Sequence, residues 1–384
     1  MRPSTRIALS ALLSVGCHAA AAPGRPAEPP PRDAQAEWQP SATRLFIACL
    51  AQFEGEKEEG RSSFSTEDRL DGAFANQLAA RGVPADRSTV LLDDRATSSG
   101  VEEALRRSLD ASQPNETLVF YFGSHGGYDA QTGRHTFSTF DGSLPMEWAV
   151  DEIEARFKGS RALLFADSCY SGGLVEIVTS KPRRVAYAAL ASTSAHELAY
   201  SAWRFIDVLM RAFSGDPLMD EDRDGRVEFL EASRFVEHHM AFIAEGKPMY
   251  ATTGGLDELV LANAARPHPS DPRVGRYVEV EWHDRWYKAE IQAVRGAEAL
   301  VHYTSNALHE SDEWVPPERI RELAFARYAP GAKVDVEYDG RWYPSTVLGS
   351  FENLHHIHYD AYSESWDEWV GPSRLRPRAS AGAP

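Results

Sequence analysis

Three cysteines are all that 384 residues hold, and that scarcity excludes a disulfide framework. Cys17 lies in the leader-like start of the chain. Cys49 and Cys169 remain, and a domain this long has little need of a single bridge between them. Basic charge is short as well: 40 Lys and Arg stand against 57 Asp and Glu, a formal charge of −17. No basic stripe offsets the repulsion this sets up with phosphates, so nucleic acid is not an expected partner. Long apolar runs are also missing. Beyond the first residues no stretch reaches the ~18 residues of a membrane helix. The 43% hydrophobic content suits packed cores in about two or three domains.

Residues 1–22 read as a targeting segment. Arg2 and Arg6 precede the apolar run "IALSALLSVG". "SVGC", ending at Cys17, matches a degenerate bacterial lipobox, while "HAAAAP" offers small residues for ordinary cleavage; both readings stay open. Either predicts an exported protein, in the bacterial periplasm or cell envelope if lipidated and otherwise secreted. That lipid would be its one route to a membrane. Residues 23–41 are rich in Pro and Ala without periodicity, the pattern of a linker.

From 42 to 265 short apolar runs alternate with helical patterns. "RLFIACLAQ", "STVLLDD", "TLVFYFG", "RALLFAD" and "RVAYAALAS" read as strands. Between them, Leu70, Phe74 and Leu78 keep helical spacing, and "SGVEEALRRSLDAS", "PMEWAVDEIEARFKG" and "AYSAWRFIDVLMRAFSG" read as helices. This alternation predicts an α/β fold, a mostly parallel sheet sandwiched by helices. Function in such a sheet sits outside the carboxyl ends of its strands.

Two strands end in reactive groups. "TLVFYFGSHGG" delivers His125, and "ALLFADSCYSGG", with its cysteine 44 residues on, delivers Cys169. Alone, a cysteine after an apolar strand is more often core than nucleophile. Paired with a histidine at a matching strand end, it suits nucleophilic catalysis, because a thiol attacks only as thiolate and an imidazole can take its proton. Gly126 and Gly127 leave room for a substrate carbonyl beside backbone N–H groups. Gly172 and Gly173 allow a tight turn into the next helix.

These motifs resemble the caspase and metacaspase peptidases, in the wider clan of legumain and gingipain. "DSCYSGG" is similar to the metacaspase signature rather than the caspase "QAC-x-G" form, and the resemblance covers residues 42–265. It implies a caspase-like fold and a cysteine endopeptidase acting on protein or peptide substrates. By position, His125 is the base or acid, Cys169 the nucleophile, and the N–H groups of Gly126 and Cys169 the oxyanion hole. Asp167 matches the pocket acid that selects Arg or Lys before the cleaved bond; its plainer reading is a cap on the next helix. Tyr170 stands where metacaspases usually carry His. A second pocket acid is missing after the next strand, where Glu197 is the nearest substitute.

"DEDRDGRVEFLE", residues 220–231, has calcium-loop spacing. Asp220, Asp222, Asp224, Gly225 and Glu231 occupy positions 1, 3, 5, 6 and 12, Arg226 offers its carbonyl at 7, and Glu228 stands at 9. Crowded carboxylates need a divalent ion to offset their repulsion, which predicts an EF-hand binding Ca2+; an acidic surface turn is the alternative. No organic cofactor is expected.

The last third repeats. "RWYKAEI" at Arg285 returns as "RWYPSTV" at Arg341, 56 residues on, and "DEWV" at Asp312 returns at Asp367. Period-two alternation in each unit predicts two small β-barrels, 273–322 and 327–377. They resemble Tudor-like domains of the Tudor-knot and agenet types. That resemblance implies aromatic cages for methylated ammonium groups: Tyr338, Tyr343, Tyr359 and Tyr362 in the second unit. In the first, Trp282, Tyr287 and Tyr303 remain while Asn306 replaces the fourth ring. Packing in a barrel core is the plainer reading of these rings, and a peptide or a partner surface is an equal ligand candidate. The expectation is an exported, calcium-dependent cysteine endopeptidase with two recognition modules. Its competitors are a catalytically silent scaffold and a calcium-responsive binding protein.

Overall fold

The computed structural model describes residues 37–54, 62–66, 69–199, 203–244, 246–304, 312–323 and 326–378. The segment expected to be a targeting signal, most of the expected linker, Cys17 and Asn306 lie outside them. The chain divides between Ala34 and Gln35, and all of the described elements belong to the unit that begins at Gln35.

Its first part builds β1 (Thr43–Cys49), α1 (Asp71–Ala80), β2 (Ser88–Leu92), α2 (Ser98–Asp110) and β3 (Thr117–Gly123). A three-stranded sheet follows, β4 (Gly126–Asp129), β5 (Arg134–Ser138) and β6 (Ser143–Pro145), then α3 (Met146–Arg156), β7 (Arg161–Asp167) and α4 (Gly172–Thr179). Next come β8 (Ala186–Ala191), α5 (Arg204–Ser214), β9 (Arg226–Glu228), α6 (Phe229–Ala244), β10 (Met249–Thr252) and β11 (Val260–Asn263).

The main sheet runs β10-β8-β7-β3-β1-β2, parallel except for the edge strand β10. β1 and β3 are buried along their whole length, as expected of strands covered on both faces. Alternation divides their side chains between two cores. Phe46, Phe120 and Leu164 meet α2, α3 and α4, while Ile47, Tyr121 and Phe165 meet α1, α5 and α6. The fold is thus the predicted α/β layering.

Each repeat forms a five-stranded antiparallel sheet with the same strand order. The first comprises β12 (Tyr277–Trp282), β13 (Arg285–Arg295), β14 (Glu298–Tyr303), β15 (Glu313–Val315) and β16 (Ile320–Glu322). The second comprises β17 (Lys333–Tyr338), β18 (Arg341–Phe351), β19 (Leu354–Tyr359), β20 (Glu368–Val370) and β21 (Leu375–Pro377). Both place two positive-φ residues in the first hairpin, His283 and Asp284 or Asp339 and Gly340, as a two-residue primed turn requires. Both sheets seat on α6. The Tyr277 ring stacks on Phe242 at 4.2 Å and its hydroxyl lies 3.0 Å from His239 Nδ1. In the second module Phe351 stacks on His238 at 4.1 Å and Leu354 is buried beside Ala241.

Candidate functional site

Gly123 and Asp167 are register partners at the ends of β3 and β7. His125 and Cys169 therefore leave neighbouring strands at one level, each two residues past the ladder. Ser124 N–H donates to the Asp167 carbonyl at 3.0 Å and ties the two exits together. A Cβ on Gly126 would stand 2.0 Å from the Cys169 carbonyl oxygen, so only glycine lets these backbones meet. The two residues named for the oxyanion hole thus lie against each other.

His125 Nε2 lies 2.7 Å from the Ser62 carbonyl oxygen. A carbonyl can only accept, so Nε2 carries the proton and Nδ1 is left as the basic nitrogen. Phe53 and Phe64 flank the ring at 5.0 and 4.4 Å. Cys169 is partly exposed, and its Sγ accepts the Ala199 N–H at 3.3 Å. Cys49, the other described cysteine, is buried, and burial beside Asp71 pushes its thiol pKa well up. Both thiols are free.

The turn after Cys169 is made differently from the expectation. Tyr170, not a glycine, adopts the left-handed conformation at φ 58°, and its N–H donates to Glu197 O at 2.7 Å. Gly172 and Gly173 open α4 and are needed for close packing. A Cβ would meet Ala195 N at 2.4 Å on the first and the His135 ring at 2.2 Å on the second.

Asp167 does not cap α4, whose N-cap is Ser171. Its carboxylate accepts from Tyr121 Oη at 3.2 Å and from the Ser192 side chain. Burial pushes its pKa up to about 6, against which those two hydrogen bonds pull down. Glu197 belongs elsewhere: its charge neighbours are Glu368, Lys247 and Arg374. The second acid on this side is Asp71, hydrogen-bonded with Cys49 and held by Arg69 at 2.6 Å. It opens α1, far in sequence from the strand after which a second acid was expected.

In the calcium-like loop, Asp220, Asp222 and Asp224 each place an oxygen within 4.8 Å of the others. Gly225 N–H donates to Asp220 Oδ2, Asp224 N–H to Asp222, and Arg226 N–H to Asp224. Asp220 is 2% exposed, and its Oδ1 is buried without a hydrogen-bond partner. A buried, unsatisfied carboxylate oxygen facing two others is what a cation would neutralise, so the donor set fits Ca2+. Glu231 is not one of those three, but it is tied to the same loop: its oxygens accept N–H groups of Glu221, Asp222 and Glu228. Arg226 and Glu228 bound β9, which pairs with β11.

In the second module Tyr338, Tyr343, Tyr359, Tyr362 and Trp366 line one cavity of about 110 Å³, several times the ~30 Å³ of a water molecule. Neighbouring rings stand 5.8–6.5 Å apart, mostly near perpendicular. Tyr359 Oη donates to Glu368 at 2.5 Å, and Arg374 pairs with the same carboxylate at 2.7 Å. Trp366 is a fifth wall that the repeat pattern does not reveal. In the first module Trp282, Tyr287 and Tyr303 also touch edge to face, but Tyr303 is wholly buried in the core. Ser311, which precedes "DEWV" where Trp366 precedes it in the second repeat, lies outside the described residues.

The chain matches no family model and no curated protein. Among solved structures it is similar to protein GSU0716 from Geobacter sulfurreducens, at 17% identity and a TM-score of 0.40 over 58% of this chain and 98% of that one. It is also similar to the tandem Agenet domain 3-4 of ADCP1, 23% identical over 28% of this chain and 80% of that one. A third is AGD34 of Arabidopsis thaliana AGDP1, 20% identical over 28% and 82%. Both of these have a TM-score of 0.13.

Proposed function

We propose that the chain is a metacaspase-like cysteine endopeptidase that cleaves after basic residues, responds to calcium and recognises ligands through its second β module. The observation that carries the reading is the His125–Cys169 pair, leaving register-matched strands with the His125 ring held by the Ser62 carbonyl. In the reaction, His125 Nδ1 takes the thiol proton and Cys169 Sγ attacks the scissile carbonyl carbon. Backbone N–H groups of Gly126 and Cys169 receive the developing oxyanion. The C–N bond breaks as the imidazolium returns the proton to the leaving amine. Water, deprotonated by the same imidazole, then releases the acyl group and restores the thiol. The Asp167 carboxylate pairs with the substrate's ammonium or guanidinium.

Mature protein incubated with Arg-, Lys-, Asp- and Asn-linked reporter peptides tests this directly. Thiol-dependent release from the Arg and Lys reporters is expected. Release that persists after Cys169→Ala, or no release from any reporter with or without calcium, excludes it.

Calcium bound at Asp220, Asp222 and Asp224 would supply charge that relieves their repulsion and stiffens the start of α6. At a concentration about ten times a Kd of ~10⁻⁴ to 10⁻³ M, it is expected to add about 1.4 kcal/mol. Calorimetry should show a melting shift of a few degrees in the wild type. An equal shift in Asp220→Asn would place calcium elsewhere.

A further inference from the structure

The segment that contacts the nucleophile also touches the aromatic cavity. Ala199 N–H reaches Cys169 Sγ, and Glu197 O accepts from Tyr170 N–H. One residue before Glu197, the His196 ring stacks on Trp366 at 5.7 Å with 18° between planes. Trp366 is a wall of the second module's cavity. His196 also meets Tyr128 at 6.2 Å, and Tyr128 meets Tyr170, the neighbour of the nucleophile, at 5.9 Å. Tyr128 and Leu198 are 39% and 48% exposed, large for apolar groups. An aromatic strip thus runs over the surface from the thiol to the cavity mouth, where Tyr362 is 45% exposed.

Charge on this side has one dominant sign. A second cavity of about 390 Å³ lies between the His196 segment and the second module. Glu176, Glu237, Glu364, Asp367 and Glu368 line it with Lys247. Arg374 offsets Glu368 and burial pushes the Glu237 pKa up to about 7, so Glu176, Glu364 and Asp367 carry the acidic excess. Aromatic faces attract cations, most strongly those too alkylated to hold a tight water shell, and the carboxylates favour a basic chain along the strip.

We propose that the thiol site and the five-ring cavity are two ends of one substrate groove, which selects peptides carrying a methylated lysine at a set distance from the cleaved bond. Three ring-to-ring steps of about 6 Å separate Trp366 from Tyr170. The straight-line span is at most that path, so it corresponds to about five residues of extended chain or fewer at ~3.3 Å each. The inference rests on the endopeptidase reading and names its substrate class. Anchoring the ammonium turns delivery of the scissile bond into an intramolecular step, which raises its local concentration.

The test uses the full mature chain and peptides with one Arg, and only cleavage after that Arg is scored, because a plain lysine is itself a cleavable residue. A trimethyl-lysine or a plain lysine is placed about two to ten residues away, in either direction. At the matched spacing kcat/KM for the methylated peptide should exceed that of its plain twin about tenfold or more, chiefly through a lower KM. Tetramethylammonium added to the unaltered protein should erase the advantage, and Tyr362→Ala should bring the methylated-to-plain ratio close to one. Equal rates at every spacing, or an advantage indifferent to spacing, overturn the shared groove while leaving the peptidase reading intact. Stimulation of plain-peptide cleavage by tetramethylammonium also overturns it, since the cavity would then act as a separate effector site. Failure to cleave any peptide refutes the peptidase reading and this inference together.

Discussion

Cys169→Ala and His125→Ala are each expected to lower kcat for a basic reporter peptide by about 10⁴-fold or more. The double variant should be little worse than either single one, because nucleophile and base act as a unit. The structure adds a control. Cys49 is the other described thiol, but it is 1% exposed and its burial favours the neutral form. An alkylating reagent should therefore label the folded protein at Cys169 first and silence it with one equivalent, as read by peptide mass mapping. Fast labelling at Cys49 with activity retained would reassign the reactive thiol. Ser62 enters through its backbone carbonyl, so the sensitive change there is one that moves the main chain, such as Ser62→Pro. Loss of rate without loss of peptide binding is the expected signature, since the ring would lose its orientation and not its place.

The second large effect concerns Asp167. Its pKa is pushed up to about 6 by burial, with Tyr121 and Ser192 as hydrogen-bond donors and Cys49 and Asp71 close by. The carboxyl is neutral below that pH and charged above it. Cleavage after Arg should therefore climb as pH rises through about 6, the window in which the pocket gains its charge. Asp167→Asn should remove that limb and cost about 10²-fold or more in kcat/KM on Arg substrates, in line with losing a desolvated charge pair. Stability moves the other way. A carboxyl whose folded pKa lies above its unfolded value contributes stability that is present below pH ~4 and lost as pH rises through about 6. At pH 7.5 the ionised form is held at a cost, and a shift of roughly two units corresponds to about 3 kcal/mol as an upper figure. Asp167→Asn is thus expected to melt higher than wild type at pH 7.5 and nearly level with it at pH 4. A variant that melts lower at neutral pH would show that the carboxylate is structural.

Much of this was legible in the chain. Short unbroken apolar runs such as "TLVFYFG", rich in aromatic and β-branched residues, read as strands covered on both faces, and the 56-residue repeat returned twice as the same five-stranded sheet. What escaped was whatever depends on segments distant in sequence. Asp71 joins the pocket side because α1 begins beside the end of β1, and no spacing rule links it to Asp167. The Ser62 carbonyl is a backbone group and leaves no residue signature. Trp366 lies where the two repeats differ by a one-residue deletion, which hides its correspondence with Ser311. The edge strand β10 and the β9–β11 ladder are short, and neither has a run long enough to stand out. The glycines after Cys169 were visible, but their reason was not: they admit Ala195 and His135, while Tyr170 takes the strained turn.

The seating of both modules on α6 makes them hard to part from the domain before them. His238, Ala241 and Phe242 are covered by residues of the repeats, so a fragment ending near residue 265 would expose that face to water. A cut in the connecting stretch 264–273 would leave two polypeptides still clasped along one helix. A processed form of this protein would then keep its full size in solution while running as two bands once denatured.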